Sequence, residues 1–294
     1  MTRKQGGNFQ VWTKSNESCP EGTIPIRRTT EQDLLRASSI ERFGRKLSPI
    51  SKTDEGGHEH AIARTKGTFR GGKAFFNVWK PKVENSDEFS LTQMWVVVGT
   101  YENHDLNSVE AGWQRDAYEK TGCYNLLCEG FVQFSSKILV GGSITPVSTY
   151  NGQQFGIDLH IWKDADAWWL EVEGETVGYW PSSIFTLLWS SKDTIVDFGG
   201  EVFIGRMPSS GHTTTEMGSG HFPSEGFKKA AFIRNMQVVD ENGALIPAPI
   251  SKVIIDSNTC YNMEVHLPTK DPIWGTFIYH GGPGKSSICP LERF

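Results

Sequence analysis

Two stretches set a glutamate among small residues in an extended context. In Asn107-Ser108-Val109-Glu110-Ala111-Gly112-Trp113-Gln114, strand alternation puts Val109, Ala111 and Trp113 on one face and Glu110, Gly112 and Gln114 on the other. In Asp197-Phe198-Gly199-Gly200-Glu201-Val202-Phe203-Ile204, Glu201 follows two glycines and interrupts an apolar run. Acid–base hydrolysis of a peptide or glycosidic bond needs two carboxyls facing one water or scissile bond, held in different protonation states. Small neighbours let a substrate backbone approach them. Glu216, in the polar stretch Thr213–His221, is a third, weaker candidate. Against all three stands the ordinary fate of a strand glutamate, which is a solvated face. His58 and His60 alternate on one strand face and could begin a zinc site, but a third ligand is not evident beside them; the plainer reading is a solvated loop. No Ser has glycines at both −2 and +2, and no HExxH or phosphate-binding glycine loop occurs.

Elements able to hold such glutamates follow from the period-two pattern beyond residue 60. Phe155, Ile157, Leu159 and Ile161 alternate strictly with Gly156, Asp158, His160 and Trp162. Strands are predicted at Phe75–Trp79, Met94–Val98, Phe131–Ser135, Ile138–Val140, Ile195–Phe198, Val202–Ile204, Ala231–Val239 and Gly275–Tyr279, with a hairpin from Leu170 to Trp180 around Glu173-Gly174-Glu175. A short helical segment is expected at Ser182–Trp189. Many short strands between turn signals imply an all-β fold of two packed antiparallel sheets, a β-sandwich, or a barrel.

Residues 1–50 differ. They are polar and basic, and they carry one clear helix signal: Thr29 as cap with Gln32 three residues on, followed by Leu34, Leu35, Ala37 and Ile40 on one stripe. Such a helix is too short to stand alone and should dock on something. Lys52 to His60 reads as an exposed, flexible junction open to proteolysis. The chain therefore divides into 1–50, a partly helical leader, and 51–294, the β domain.

The 294 residues, 37% hydrophobic and 21% charged, can form a real core, and a net charge of −5 removes any general electrostatic case for binding nucleic acid. No apolar run approaches a membrane-spanning helix, and residues 1–8 lack the apolar region of a secretory signal. The five cysteines point the other way. Proximity pairs Cys123 with Cys128 and Cys260 with Cys289, leaving Cys19 over, although four cysteines allow three connectivities. Disulfides imply an oxidising compartment, and Asn16-Glu17-Ser18 is a compatible glycosylation sequon at Asn16. On this reading the sequence is an N-terminally truncated version of a secreted protein.

Blocks running nearly the whole length resemble the neprosin family of plant proteins. Cys19–Thr29 looks like the end of that family's activation peptide. Thr121–Cys128, Ile161–Asp164, Gly178–Pro181, Gly199–Val202, Met217–Pro223 and Gly281–Gly284 look like its catalytic domain, in family order. The resemblance implies a secreted or vacuolar glutamic endopeptidase, made as a zymogen, that cleaves after proline in acid and needs no cofactor or metal. It implies two packed sheets forming a cleft, Glu110 and Glu201 at the positions of the catalytic pair, and the two disulfides already paired. It also implies partners: a proline-containing peptide or protein as substrate, and the leader as inhibitor, with no nucleic acid and no membrane. One departure stands out. The family carries a longer aromatic segment where this chain has only Arg115–Lys120, so a piece the size of a turn plus a strand is missing beside Glu110. The alternative is an inactive sandwich that binds peptide or cell-wall polysaccharide; glycoside hydrolysis, which also uses two carboxyls, ranks third.

Overall fold

The computed structural model describes residues 3–4, 9–15, 19–35, 43–44, 57–86, 88–110, 113–114, 123–205, 211–268 and 271–289. Its strands in chain order are β1 (Arg3–Lys4), β2 (Gly57–Gly67), β3 (Gly71–Asn77), β4 (Phe89–Val98), β5 (Asn107–Val109), β6 (Trp113–Gln114), β7 (Val132–Gln133) and β8 (Phe155–Lys163). They continue as β9 (Ala167–Val172), β10 (Glu175–Pro181), β11 (Thr194–Ile204), β12 (Ala231–Val239), β13 (Leu245–Pro247), β14 (Lys252–Ile255), β15 (Asn262–His266) and β16 (Phe277–Gly281).

The strands form two sheets. One runs β15-β16-β12-β3-β8-β9-β10-β7, with β1 beside β8 and β13 beside β12; the other runs β14-β2-β11-β4-β5-β6. All these pairings are antiparallel except β1 with β8. Alternation decides what each face does. Ala61, Val96 and Phe198 turn inward from the six-stranded sheet and meet Phe76, Ile161 and Ile233 from the ten-stranded one in a common core. The expected all-β sandwich is present.

Local chemistry explains the individual elements. The hairpin β9–β10 closes on Glu173 and Gly174, at φ 53° and 80°, the mirror-image turn that suits strand twist. Expected strands at Ile195–Phe198 and Val202–Ile204 are one strand, β11: the glycines between them stay in register with β2 and β4. A Cβ at Gly199 would lie 2.1 Å from the Ala61 carbonyl oxygen, so the glycine is what admits the neighbouring strand. Ile138–Val140 is not a strand. There the backbone is claimed by side chains, Gln133 donating to the Ile138 carbonyl and Gln10 bonding both the N–H and the carbonyl of Leu139. The Ser182–Trp189 helix reduces to one 3-10 turn, Ser182–Ile184.

The leader also differs from expectation. Helix α1 spans Glu31–Leu35, and its cap is Thr30, not Thr29. Asp33 completes the box by accepting the Thr30 N–H and hydroxyl at 2.8 Å each, and Arg27 donates to the same carboxylate at 2.7 Å. Those bonds hold the Asp33 carboxyl well below its usual range, the Arg27 bond contributing most. Leu34 and Leu35 remain exposed, and a local polar knot closes the start of this turn of helix. Ala37 and Ile40, like Asn16 and Arg115–Lys120, lie outside the described residues. The leader anchors on the ten-stranded sheet through β1, and beyond it through the buried Phe9 and a bridge from Gln10 to Ile144, outside the strands.

Candidate active site

The cleft of interest opens on the face of the six-stranded sheet that points away from the core. Register assembles it. On β11, residues 197, 199, 201 and 203 face outward beside Arg64, Ile62, His60 and His58 of β2, and beside Trp95, Gln93, Leu91 and Phe89 of β4. Ser108 of β5 lies opposite Val97, and Glu110, just past the strand, continues the same alternation. Glu110 and Glu201 both line the cleft, with His58, His60, Trp95 and Tyr101. The two glutamates singled out by their small neighbours thus share one cavity despite their separation in sequence.

Their settings differ. Glu110 is nearly buried, and both its oxygens accept hydrogen bonds at 2.8 Å, one from Ser108 Oγ and one from Gln93 Nε2. Glu201 is fully buried as a residue and accepts a short bond from His58 Nδ1, while His60 Nε2 stands 4.0 Å from the same oxygen. His60 is held from behind: its Nδ1 and backbone N–H both donate to Asp256 Oδ2, at 2.9 and 2.8 Å. Burial alone would raise the Asp256 carboxyl, but the bonds from His60 outweigh it and leave the group below its ordinary value.

Two strand repeats along the same face, Arg64 forks onto Asp197 at 2.7 to 3.2 Å. Burial pushes the Asp197 carboxyl up, with the guanidinium opposing it, and the same bonds push Arg64 up. This pair forms part of the cleft wall.

The histidines correct the sequence reading. Gly57–His60 is not a flexible junction; it opens β2, which pairs with β11 along eleven residues. The period-two signal was present, since His58, His60, Ile62 and Arg64 alternate with Glu59, Ala61, Ala63 and Thr65, but the charges and glycines masked it. Gln93, Ser108, Arg64 with Asp197, and Asp256 were also missed, being ordinary strand or loop residues until register brings them together. Glu216 lies elsewhere: its carboxylate accepts the Lys82 N–H at 2.7 Å and fastens a loop. Both paired disulfides are formed, Cys123–Cys128 and Cys260–Cys289, with Cys19 a free thiol.

Comparison with protein families now bears on this geometry. The family model described as Neprosin matches residues 86–283, a span holding both glutamates and more than half of the chain. The chain belongs to the neprosin family. The neprosin activation peptide model matches residues 1–64, so this family member carries its own N-terminal regulatory segment. That match overlaps the neprosin-type sheet, because its last eight residues are the first eight of β2. None of the described residues before Gly57 lines the cleft.

Proposed function

We propose that the chain is an acid-acting glutamic endopeptidase made as a zymogen, with Glu110 and Glu201 as its acid–base pair and a preference for cleaving after proline. The observation that carries the reading is the convergence of the two carboxyls in one cleft of a neprosin-family chain. Glu110, both of whose oxygens accept donors, suits the base: it takes a proton from an attacking water. The hydroxide joins the carbonyl carbon. Glu201, fully buried, suits the acid: it polarises the carbonyl and then donates its proton to the leaving nitrogen, so the products are a carboxyl and an amine. Trp95 and Tyr101 offer flat apolar surface for a prolyl ring.

Activation on this reading removes the leader by a cut before Gly57. Beyond that point the chain is β2, which lies between β14 and β11 and brings His58, His60 and Arg64 to the cleft. The cut then falls near the 50/51 division of leader and β domain, and the mature protein belongs in a secreted or vacuolar acid compartment, which the two disulfides suit.

The test is hydrolysis of a proline-containing peptide across an acid pH series by the processed chain, beside Glu110→Gln and Glu201→Gln. Each variant should lose at least about 100-fold in kcat, the scale of one general acid or base, and N-terminal sequencing should place the processed end before Gly57. A folded, processed parent that binds the peptide without cutting it overturns the enzyme reading in favour of a binding sandwich.

A further inference from the structure

We infer that His58, His60 and Glu201 form a binding site for a borderline divalent transition metal, with Zn2+ the best match. One ring nitrogen from each histidine and one Glu201 oxygen lie within 4.8 Å of one another. Two imidazoles and a carboxylate are a ligand set zinc accepts, with the remaining position left for water. Tetrahedral ligation with Zn–N near 2.0 Å places ligand atoms about 3.3 Å apart. The site therefore needs a small adjustment of the side chains: His60 turns inward from 4.0 Å, while His58 and Glu201 part to admit the ion in place of their hydrogen bond, the His58 proton moving to Nε2.

Three further observations point to a ligand site rather than to a chance gathering of polar groups. The Asp256 carboxylate accepts the Nδ1 proton of His60, which leaves Nε2 as the lone-pair nitrogen and turns it toward Glu201. That carboxylate–histidine arrangement is what orients metal-binding imidazoles and raises their basicity. His58 packs against Phe203 and Phe89, with ring centroids 4.9 and 5.9 Å away, giving the site an apolar wall. And the three ligands line an open cleft, so an ion has a path in from solvent.

The other cluster of metal-ligating types among the described residues, His212 with Cys260 and Cys289, cannot serve in this way, because its two sulfurs are joined as a disulfide. The inference concerns binding and does not depend on the peptidase reading. One consequence does depend on it: an ion holding a Glu201 oxygen withdraws that carboxyl from acid–base work, so zinc would be an inhibitor.

The test is calorimetric titration of ZnCl2 into the chelator-stripped full chain near neutral pH. One ion per chain is expected, with a Kd of about 10 μM or tighter, equivalent to about −7 kcal/mol or better. His60→Gln and Glu201→Gln should each weaken it at least about 30-fold, whereas His104→Gln, an exposed turn residue, should leave it unchanged. Far-UV circular dichroism checks that each variant is folded. Co2+ added to the unmutated chain gives an independent readout, since histidine ligation appears as visible d–d bands. Absence of binding, absence of those bands, or full affinity in a folded His60→Gln chain overturns the site. Zinc that is still bound at the pH of the cleavage assay yet leaves cleavage untouched counts against the role given to Glu201 and leaves the site standing.

Discussion

At the scale of residues, the cleft is defined by which side chains hold the two glutamates. Gln93 reaches Glu110 from β4 but does not itself line the cavity, so it acts on the carboxylate and not on substrate. Gln93→Leu keeps the volume and removes the donor. The Glu110 carboxylate then keeps the Ser108 bond but loses the donor on its other oxygen, and it can swing. The expected result is a kcat lower by roughly 100-fold, the cost of a misplaced catalytic group, with KM nearly unchanged. Steady-state kinetics on a proline-containing peptide separates the two parameters. A matching rise in KM would instead make Gln93 part of the substrate surface.

Among the elements, β11 is the spine of the site, flanked by β2 and β4 over almost its whole length. The cross-strand pair Arg64–Asp197 ties β2 to it, and the carboxylate is almost fully buried while the guanidinium reaches the cleft. Arg64→Met strands that carboxylate. Near pH 7 the variant should lose about 3 kcal/mol, the usual penalty for breaking a buried pair. The sign of the pH dependence follows from burial. Without its partner Asp197 has a folded pKa raised further above its unfolded value of 3.8, so the folded state binds the extra proton. The penalty is therefore full above the folded pKa and shrinks as pH falls through it. Urea unfolding at pH 7 and pH 4 checks this: the gap between variant and parent should narrow in acid, and a gap that widens would contradict the burial argument.

For the molecule as a whole, acid is both the proposed working condition and a threat to the fold. His280 is fully buried behind β11, close to Gly200 and Gly218, and neither ring nitrogen has a hydrogen-bond partner among the described residues. Burial lowers it from 6.5 to about 4, and burial, assisted by the Lys73 charge, does the same to His160. Between those values the unfolded chain binds the proton and the folded chain does not. Their contribution is thus complete above about pH 6.5 and is lost as pH falls toward 4. For His280 that loss is about 3 kcal/mol. His280→Leu should flatten the fall in unfolding free energy between pH 6.5 and 4 by about that amount, read from denaturant titrations across the range. An unchanged slope would mean that His280 is protonated in the fold. The Cys260–Cys289 bridge closes a stretch of 29 residues. In the chain-entropy account it contributes about 3–4 kcal/mol, comparable to what acid removes. Replacing both cysteines with Ala should lower the guanidinium midpoint accordingly.

How much of this the sequence determined follows from the range over which each signal acts. Alternation in Phe155–Ile161, the turn at Glu173-Gly174 and the Ala231–Val239 strand are local, and the chain alone displays them. So is the presence of a glutamate beside small residues, which is why Glu110 and Glu201 stand out in the chain alone. Which residues stand next to them was not local. His60 meets Glu201 across 141 positions through the register of β2 on β11, and Gln93 meets Glu110 through β4 and β5. In the chain alone the histidines read as a loop, because Gly56-Gly57 and the flanking charges look like a linker when nothing shows the strand they pair with. Register depends on matching two distant faces around a shared core, a choice made by packing. The residues at the cleft were written in the sequence; their adjacency, and the buried imidazole behind them, came only from the sheet that the core forced them to share.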